Sequence, residues 1–258
     1  MSDSQTEERT ARVDAMLVAG GKYHDINYAR RELLALMGEH EHVWTTVDSN
    51  YENTDALDNC SLLISYTCDV RPSEQAQAKI RSWVEGGGRW IALHGTNAAL
   101  DLGTPNGVEA PRCFPTWAET LGSQFIAHPP IMPYTVETTA PDHWLVEGIG
   151  EFETDDELYC MEYHDADALE PLLHTTWTGT ARGFAEAEWT DNDRHLIQYL
   201  RPLGDGAVLY NTLGHCRGHW DMHPVVAYHP TVERCSWEKP QYHELLRRAI
   251  RWGLGATS

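Results

Sequence analysis

Short, wholly apolar runs alternate with segments of helical periodicity along the N-terminal part of the chain. Residues 13–20 have the composition of a strand buried on both faces, and Gly20-Gly21 turns the chain after it. Asp25 is placed to cap a helix over 26–38, where Ala29, Leu33, Leu36 and Met37 follow helical spacing. Residues 43–47 and 61–67 predict two further strands. Residues 72–85 suit a helix with Ala76, Ile80, Trp83 and Val84 on one face, stopped by Gly86-Gly87-Gly88. Residues 89–93 then form a fourth strand. Strands and helices in this alternation imply right-handed crossovers and a mostly parallel, doubly wound α/β sheet.

The pattern changes from 112 to 206. A short helix (115–121) precedes β-like pieces at 134–137, 157–163, 172–177, 184–189 and 196–200, separated by Asp and Gly turns. This predicts a β-rich insertion, an antiparallel extension of the α/β core or a lid on it. Residues 207–213 return to the buried-strand pattern, and 241–253 close the chain as an amphipathic helix. The expected organisation is a disordered tail over 1–12 and a single domain over 13–254.

Three of the buried runs are followed by histidine: His24, His94 and His215. Strands of one parallel sheet bring such residues to its carboxyl edge, where open α/β sheets bind ligands. Imidazole suits proton transfer and metal ligation near neutral pH. His94 falls on the tight turn His94-Gly95-Thr96, the position at which a nucleophile elbow displays its side chain. A histidine there is a poor acyl-enzyme nucleophile but a good proton shuttle or ligand.

Charge narrows the partners. The formal net charge is −20, and the only lysines are Lys22, Lys79 and Lys239, so neither a nucleic-acid backbone nor an anionic membrane is an expected partner. None of the six cysteines forms a C-x-x-C pair. The N-terminal MSDSQTEERTAR lacks the apolar core of a signal peptide, and no later stretch is long enough to span a bilayer. A cytoplasmic protein with reduced thiols is therefore expected.

The pieces G-G-K-Y-H-D (20–25), G-G-G-R-W-I-A-L-H (86–94), Q-F-I-A-H (124–128), D-E-L-Y (156–159), N-T-L-G-H (211–215) and A-I-R-W-G (249–253) occur in this order. In that order the chain resembles the ThuA-like, or trehalose-utilisation, family over nearly its whole length. The resemblance implies a flavodoxin-like core similar to class I glutamine amidotransferases. It also implies a sugar-linked role and a shared pocket holding His24, His94, His128, Glu157, Tyr159 and His215. Amidotransferase chemistry needs a cysteine at the elbow, which His94 occupies here, so amide hydrolysis through a thioester is not expected.

Two readings of other residues stay open. Glu157 lies in Asp155-Asp156-Glu157, which is either a solvated acidic patch or, through its alternation with Tyr159, part of one strand face lining the pocket. In the cluster from His215 to His223, Arg217, His219 and Asp221 either touch a polyol or carboxylate, or are surface groups with Trp220 packed beneath. Trp44, Trp83, Trp90 and Trp252 are expected in the core, and Trp117, Trp177 and Trp220 are candidates for stacking on a sugar ring.

The expected function is acid–base chemistry on a sugar or keto-sugar. His24 or His94 serves as base and Glu157 as acid or orienting group. His215 and Tyr159 polarise a carbonyl, alone or through a metal. Arg217, His128, His219 and Trp220 are the expected substrate contacts. The rival is a metal-dependent hydrolase in which His24, His94 and His215 hold a divalent ion of the zinc or manganese type. A second rival is a non-catalytic module that binds a sugar or supports a partner enzyme. The expected partner is a small carbohydrate, with self-association left open.

Overall fold

The computed structural model describes residues 11–190 and 194–257. The tail expected over 1–12 falls mostly on residues 1–10, which lie outside the described residues. In chain order the elements are β1 (Val13–Gly21), α1 (Ile26–Met37), β2 (Val43–Asp48), β3 (Cys60–Cys68), α2 (Glu74–Glu85) and β4 (Arg89–Leu93). A hairpin of β5 (Asp101–Thr104) and β6 (Gly107–Glu109) follows, then α3 (Pro115–Leu121), β7 (Ser123–Ala127), β8 (Met132–Thr138), β9 (Phe152–Asp156) and β10 (Cys160–Tyr163). The chain ends through β11 (Glu170–Thr176), β12 (Gly179–Thr180), β13 (Glu188–Trp189), β14 (Arg194–Leu203), β15 (Gly206–Asn211) and α4 (Pro240–Gly253).

One sheet of order β2-β1-β3-β4-β15-β14-β11-β8-β9 organises the molecule. Its first five strands are parallel, in a doubly wound, flavodoxin-like α/β arrangement. The parallel strands read as continuous apolar runs because both faces are covered. In β1, Ala15, Leu17 and Ala19 face the layer of α1 and α4, whereas Met16 and Val18 face that of α2 and α3. Asp25 caps α1 through the Tyr28 amide, and Ser73 caps α2 through the Ala76 amide.

The insertion extends the sheet. Strands β14, β11, β8 and β9 add to it antiparallel, while β7 pairs with β10 in a small separate sheet. It is therefore an extension more than a lid. Two expected strands are corrected. Residues 157–159 are irregular and join β9 to β10, because the buried carboxyl of Asp156 caps the Glu157 amide and turns the chain. Of 184–189, only Glu188–Trp189 is extended, in a two-residue pairing with β12.

Two tryptophans also change places. Trp44 is 59% exposed, with the Arg12 guanidinium over its ring, since β2 is an edge strand. Trp117 is buried between Tyr51 and Trp90, its indole N–H donating to the Thr96 carbonyl, so it is core. Among the described residues, no helix is long and apolar enough to cross a membrane.

The end of β1 must pass against the loop after β2. A Cβ added at Gly20 would lie 1.9 Å from the Ser49 carbonyl oxygen, a backbone atom that cannot move aside cheaply. Gly20→Ala is expected to destabilise the protein by about 1–3 kcal/mol or more. Urea unfolding would show this as a lower midpoint at unchanged slope; an unchanged midpoint would mean that the loop yields freely.

Candidate functional site

Three turns at the carboxyl edge of the sheet carry the histidines. His24 lies beyond β1, behind Tyr23 in a left-handed conformation (φ 68°). His94 itself has φ 48°, a strained conformation for a histidine, at the tip of β4. The turn is locked from outside: the Tyr210 hydroxyl donates to the His94 carbonyl, and a Cβ on Gly95 would lie 2.6 Å from the Thr67 carbonyl oxygen. This is the elbow expected from the sequence. His215 follows β15 on a turn held by the Asp156 carboxylate, which accepts from the amides of Gly214 (2.9 Å) and His215 (3.0 Å).

Glu157 arrives from the other end of the sheet. Asp156 at the close of β9 also accepts from the amides of Glu157 (2.8 Å) and Ser236 (3.3 Å). The same carboxylate thus pins Glu157 and His215 to each other. The acidic run is not a solvated patch: Asp155 is exposed, but Asp156 and Glu157 are both buried.

The result is a compact cluster. One ligand atom from each of His24, His94, Glu157 and His215 lies within 4.8 Å of all the others, and all four side chains are buried. His24 Nε2 is 2.9 Å from His94 Nε2, and these lie 3.7 and 3.4 Å from Glu157 Oε2. His215 Nδ1 is 3.1 Å from Glu157 Oε1 but off the line of a hydrogen bond, so that buried nitrogen is left without a hydrogen-bond partner. The Tyr159 hydroxyl is 3.1 Å from His94 Nε2.

The far nitrogens determine the tautomers. His24 Nδ1 donates to the Lys22 carbonyl (3.1 Å) and His94 Nδ1 to the Thr212 carbonyl (2.7 Å). Carbonyl oxygens only accept, so in the neutral rings both Nε2 atoms present lone pairs to each other. Burial drives the His24 pKa down to about 3, keeping that ring neutral. Burial alone would raise Glu157, but the imidazoles of His128 and His215 hold it well below the usual carboxylate range. Burial alone would lower His215, but Glu157 and then Glu233 outweigh it and raise its pKa to about 9. Burial, then the charge of Glu157, keeps the Tyr159 phenol well above its usual value, so it donates.

A cavity of about 130 Å³ opens onto this cluster. His24, Glu157, Tyr159, His128 and Arg217 line it, with apolar walls from Leu100, Leu102, Val108, Phe125, Phe184 and Met222. His128 stands half-buried at the mouth, its Nδ1 donating to the Pro129 carbonyl and its Nε2 3.6 Å from Glu157. Arg217 reaches Glu157 at 3.5 Å. His219 and Trp220 are not brought into this cavity. His219 stacks on Tyr228 and bonds the His229 carbonyl, and Trp220, 69% exposed, borders an outer depression. Their turn is directed by Asp221, which accepts from the Gly218 amide and bends the chain outward.

The ThuA family model, described as trehalose utilisation, matches residues 14–229. The chain belongs to the ThuA family. Two solved ThuA-like proteins share the fold of this ThuA-family chain. The first, a ThuA-like protein of Bacteroides uniformis, has a TM-score of 0.69 at 14% identity, over 100% of this chain and 97% of that one. The second, from Parabacteroides merdae, has a TM-score of 0.62 at 12% identity, over 96% and 92%. A β-galactosidase from Rahnella sp. R3 matches 95% of this chain with 32% of its own, at a TM-score of 0.54 and 14% identity. No curated protein matches the sequence.

Sequence reasoning passed over Asp156, whose buried carboxylate is invisible in a run of acidic letters, and Glu233, which lies in an irregular segment. Cys68 lines the cavity, but burial and then Glu157 push its thiol up, away from the thiolate form. Removing Asp156 leaves several buried amides without an acceptor. Asp156→Ala is expected to cost about 3 kcal/mol or more. A loss below about 1 kcal/mol in urea unfolding would show that the turn holds without it.

Proposed function

We propose that the protein is a metal-dependent enzyme acting by acid–base chemistry on a carbohydrate, a sugar or keto-sugar, with His24, His94, His215 and Glu157 holding a divalent cation. The observation that carries this is a proton count. Lys22 O, His24, His94 and Thr212 O form a row of three contacts, and two neutral imidazoles supply only two protons for them. Both protons are committed to the carbonyls, and the Tyr159 O–H reaches only His94 Nε2, so the His24 Nε2 lone pair 2.9 Å away still calls for an electron-pair acceptor.

The donor set fits such an ion. Three imidazoles and one carboxylate suit zinc or manganese. Each imidazole hands its other N–H to a fixed acceptor, as metal-ligating histidines do. With no cation present, Glu157 and Glu233 are balanced by Arg217 and by a second proton on His215, and a cation would take the place of that proton in the dry cluster. When bound, the ion supplies Lewis acidity to a carbonyl or hydroxyl oxygen.

The chain's own residues do the rest. His128 carries its proton on Nδ1, so its accessible Nε2 is the base that takes a proton from a substrate at the cavity mouth. The Tyr159 O–H, which meets His94 Nε2 when that nitrogen holds no ion, would be free to donate to the reacting oxygen once it does, and Arg217 orients a polar group of the substrate. The apolar walls exclude water from this corner. The carbohydrate assignment draws on the family's description.

The test combines metal content and turnover. Purified protein is expected to carry or take up one equivalent of zinc or manganese and to melt lower with chelator. His94→Ala is expected to lose the ion. His128→Ala should keep it while turnover of a keto-disaccharide falls about 10²–10⁴-fold. Protein that takes up neither ion and melts identically with chelator would overturn the metal assignment.

A further inference from the structure

His215 differs from its neighbours in what stands behind it. His24 and His94 give their second N–H to backbone carbonyls. His215 Nε2 instead lies 2.9 Å from a carboxylate oxygen, Oε2 of Glu233. Glu233 is far from every motif that marks the site, at the end of the irregular segment that leaves the sheet edge after His215.

The position of Glu233 is set by backbone. Arg217 and Glu233 form an isolated antiparallel bridge: the Arg217 amide donates to the Glu233 carbonyl at 3.0 Å, and the Glu233 amide to the Arg217 carbonyl at 2.8 Å. The bridge closes the base of the excursion over 218–232. The Arg217 guanidinium then donates to Glu233 Oε2 at 2.9 Å and to the Tyr23 carbonyl at 3.1 Å. One carboxylate oxygen therefore receives both the imidazole and the guanidinium, and its rotamer is held from two sides.

We infer that Glu233 is the positioning residue for His215: its carboxylate holds one imidazole proton on Nε2, so that Nδ1 is the nitrogen that yields its proton and faces the cation site. This rests on the metal-dependent reading above. It accounts for a buried His215 Nδ1 that has no hydrogen-bond partner. A carboxylate behind an imidazole also raises its basicity as a ligand, and loss of such a partner weakens metal affinity about 10–100-fold. Glu233 does not line the cavity; it acts on the cation site through His215, and it also holds the guanidinium of Arg217.

The experiment measures zinc affinity by competition with a chromophoric chelator for the full-length wild type, Glu233→Gln and Glu233→Ala. Glu233→Ala is expected to bind about 10–100-fold more weakly. Glu233→Gln keeps an acceptor but loses the charge, and should fall between. Cobalt-loaded Glu233→Gln should also show a shifted visible absorption, which a merely loosened loop would not produce. If Glu233→Ala fails to fold by circular dichroism, the Gln variant carries the test. Variants that bind zinc within about twofold of wild type, with unchanged cobalt spectra, would overturn the role of Glu233. Failure of the wild type to bind either ion would overturn the metal reading itself.

Discussion

The buried carboxylate of Asp156 is the constraint on which the site depends. It ends β9, the last strand of the sheet, yet it accepts from Gly214 and His215 beyond β15, which lies four places away in the strand order. The antiparallel extension must therefore curl back until its outer strand meets the parallel half. Sheet twist supplies the direction of that curl, and the Asp156 contacts fix where it stops. Without that closure, Glu157 would remain at the far side of the sheet from the histidines. The insertion delivers the acidic and aromatic half of the site, and the parallel core delivers the imidazoles.

Burial then gives the cluster its chemistry. A carboxylate among dry imidazoles is costly unless positive charge or hydrogen bonds compensate it. Here His215 and Arg217 do so, and Glu157 stays ionised. The strained turn at His94 follows the same logic. Its φ of 48° persists because the Tyr210 hydroxyl, the Thr212 carbonyl and the close approach of Gly95 to Thr67 fix it from three directions.

The flavodoxin-like scaffold is shared with proteins of different size and description, including a region of a much longer β-galactosidase. Fold alone does not assign a reaction. The residue at the elbow bears on the chemistry. A cysteine there would support a thioester, whereas His94, with Nδ1 committed to a carbonyl, offers a lone pair. The thiols nearest the site, Cys68 and Cys216, are buried and protonated; burial pushes Cys216 up to about 12.

The sequence by itself determined the parallel half of the fold. Strands buried on both faces read as unbroken apolar runs, and glycine turns and capping residues such as Asp25 mark their ends. That pattern also placed His24, His94 and His215 on one edge, because parallel strands all deliver their following turns to the same side. The tertiary structure alone decided the rest. Glu157 and Tyr159 were legible as neighbours, but for the wrong local reason: they share the cavity through an irregular turn pinned by Asp156, not through strand alternation. Trp44 and Trp117 exchanged surface and core because edge position and packing, not residue type, determine exposure. His219 and Trp220 sit beside the right loop but turn outward with Asp221. Asp156 and Glu233 carry no local signal, since a buried acceptor and a solvated acid are the same letter. Only long-range closure of the sheet distinguishes them.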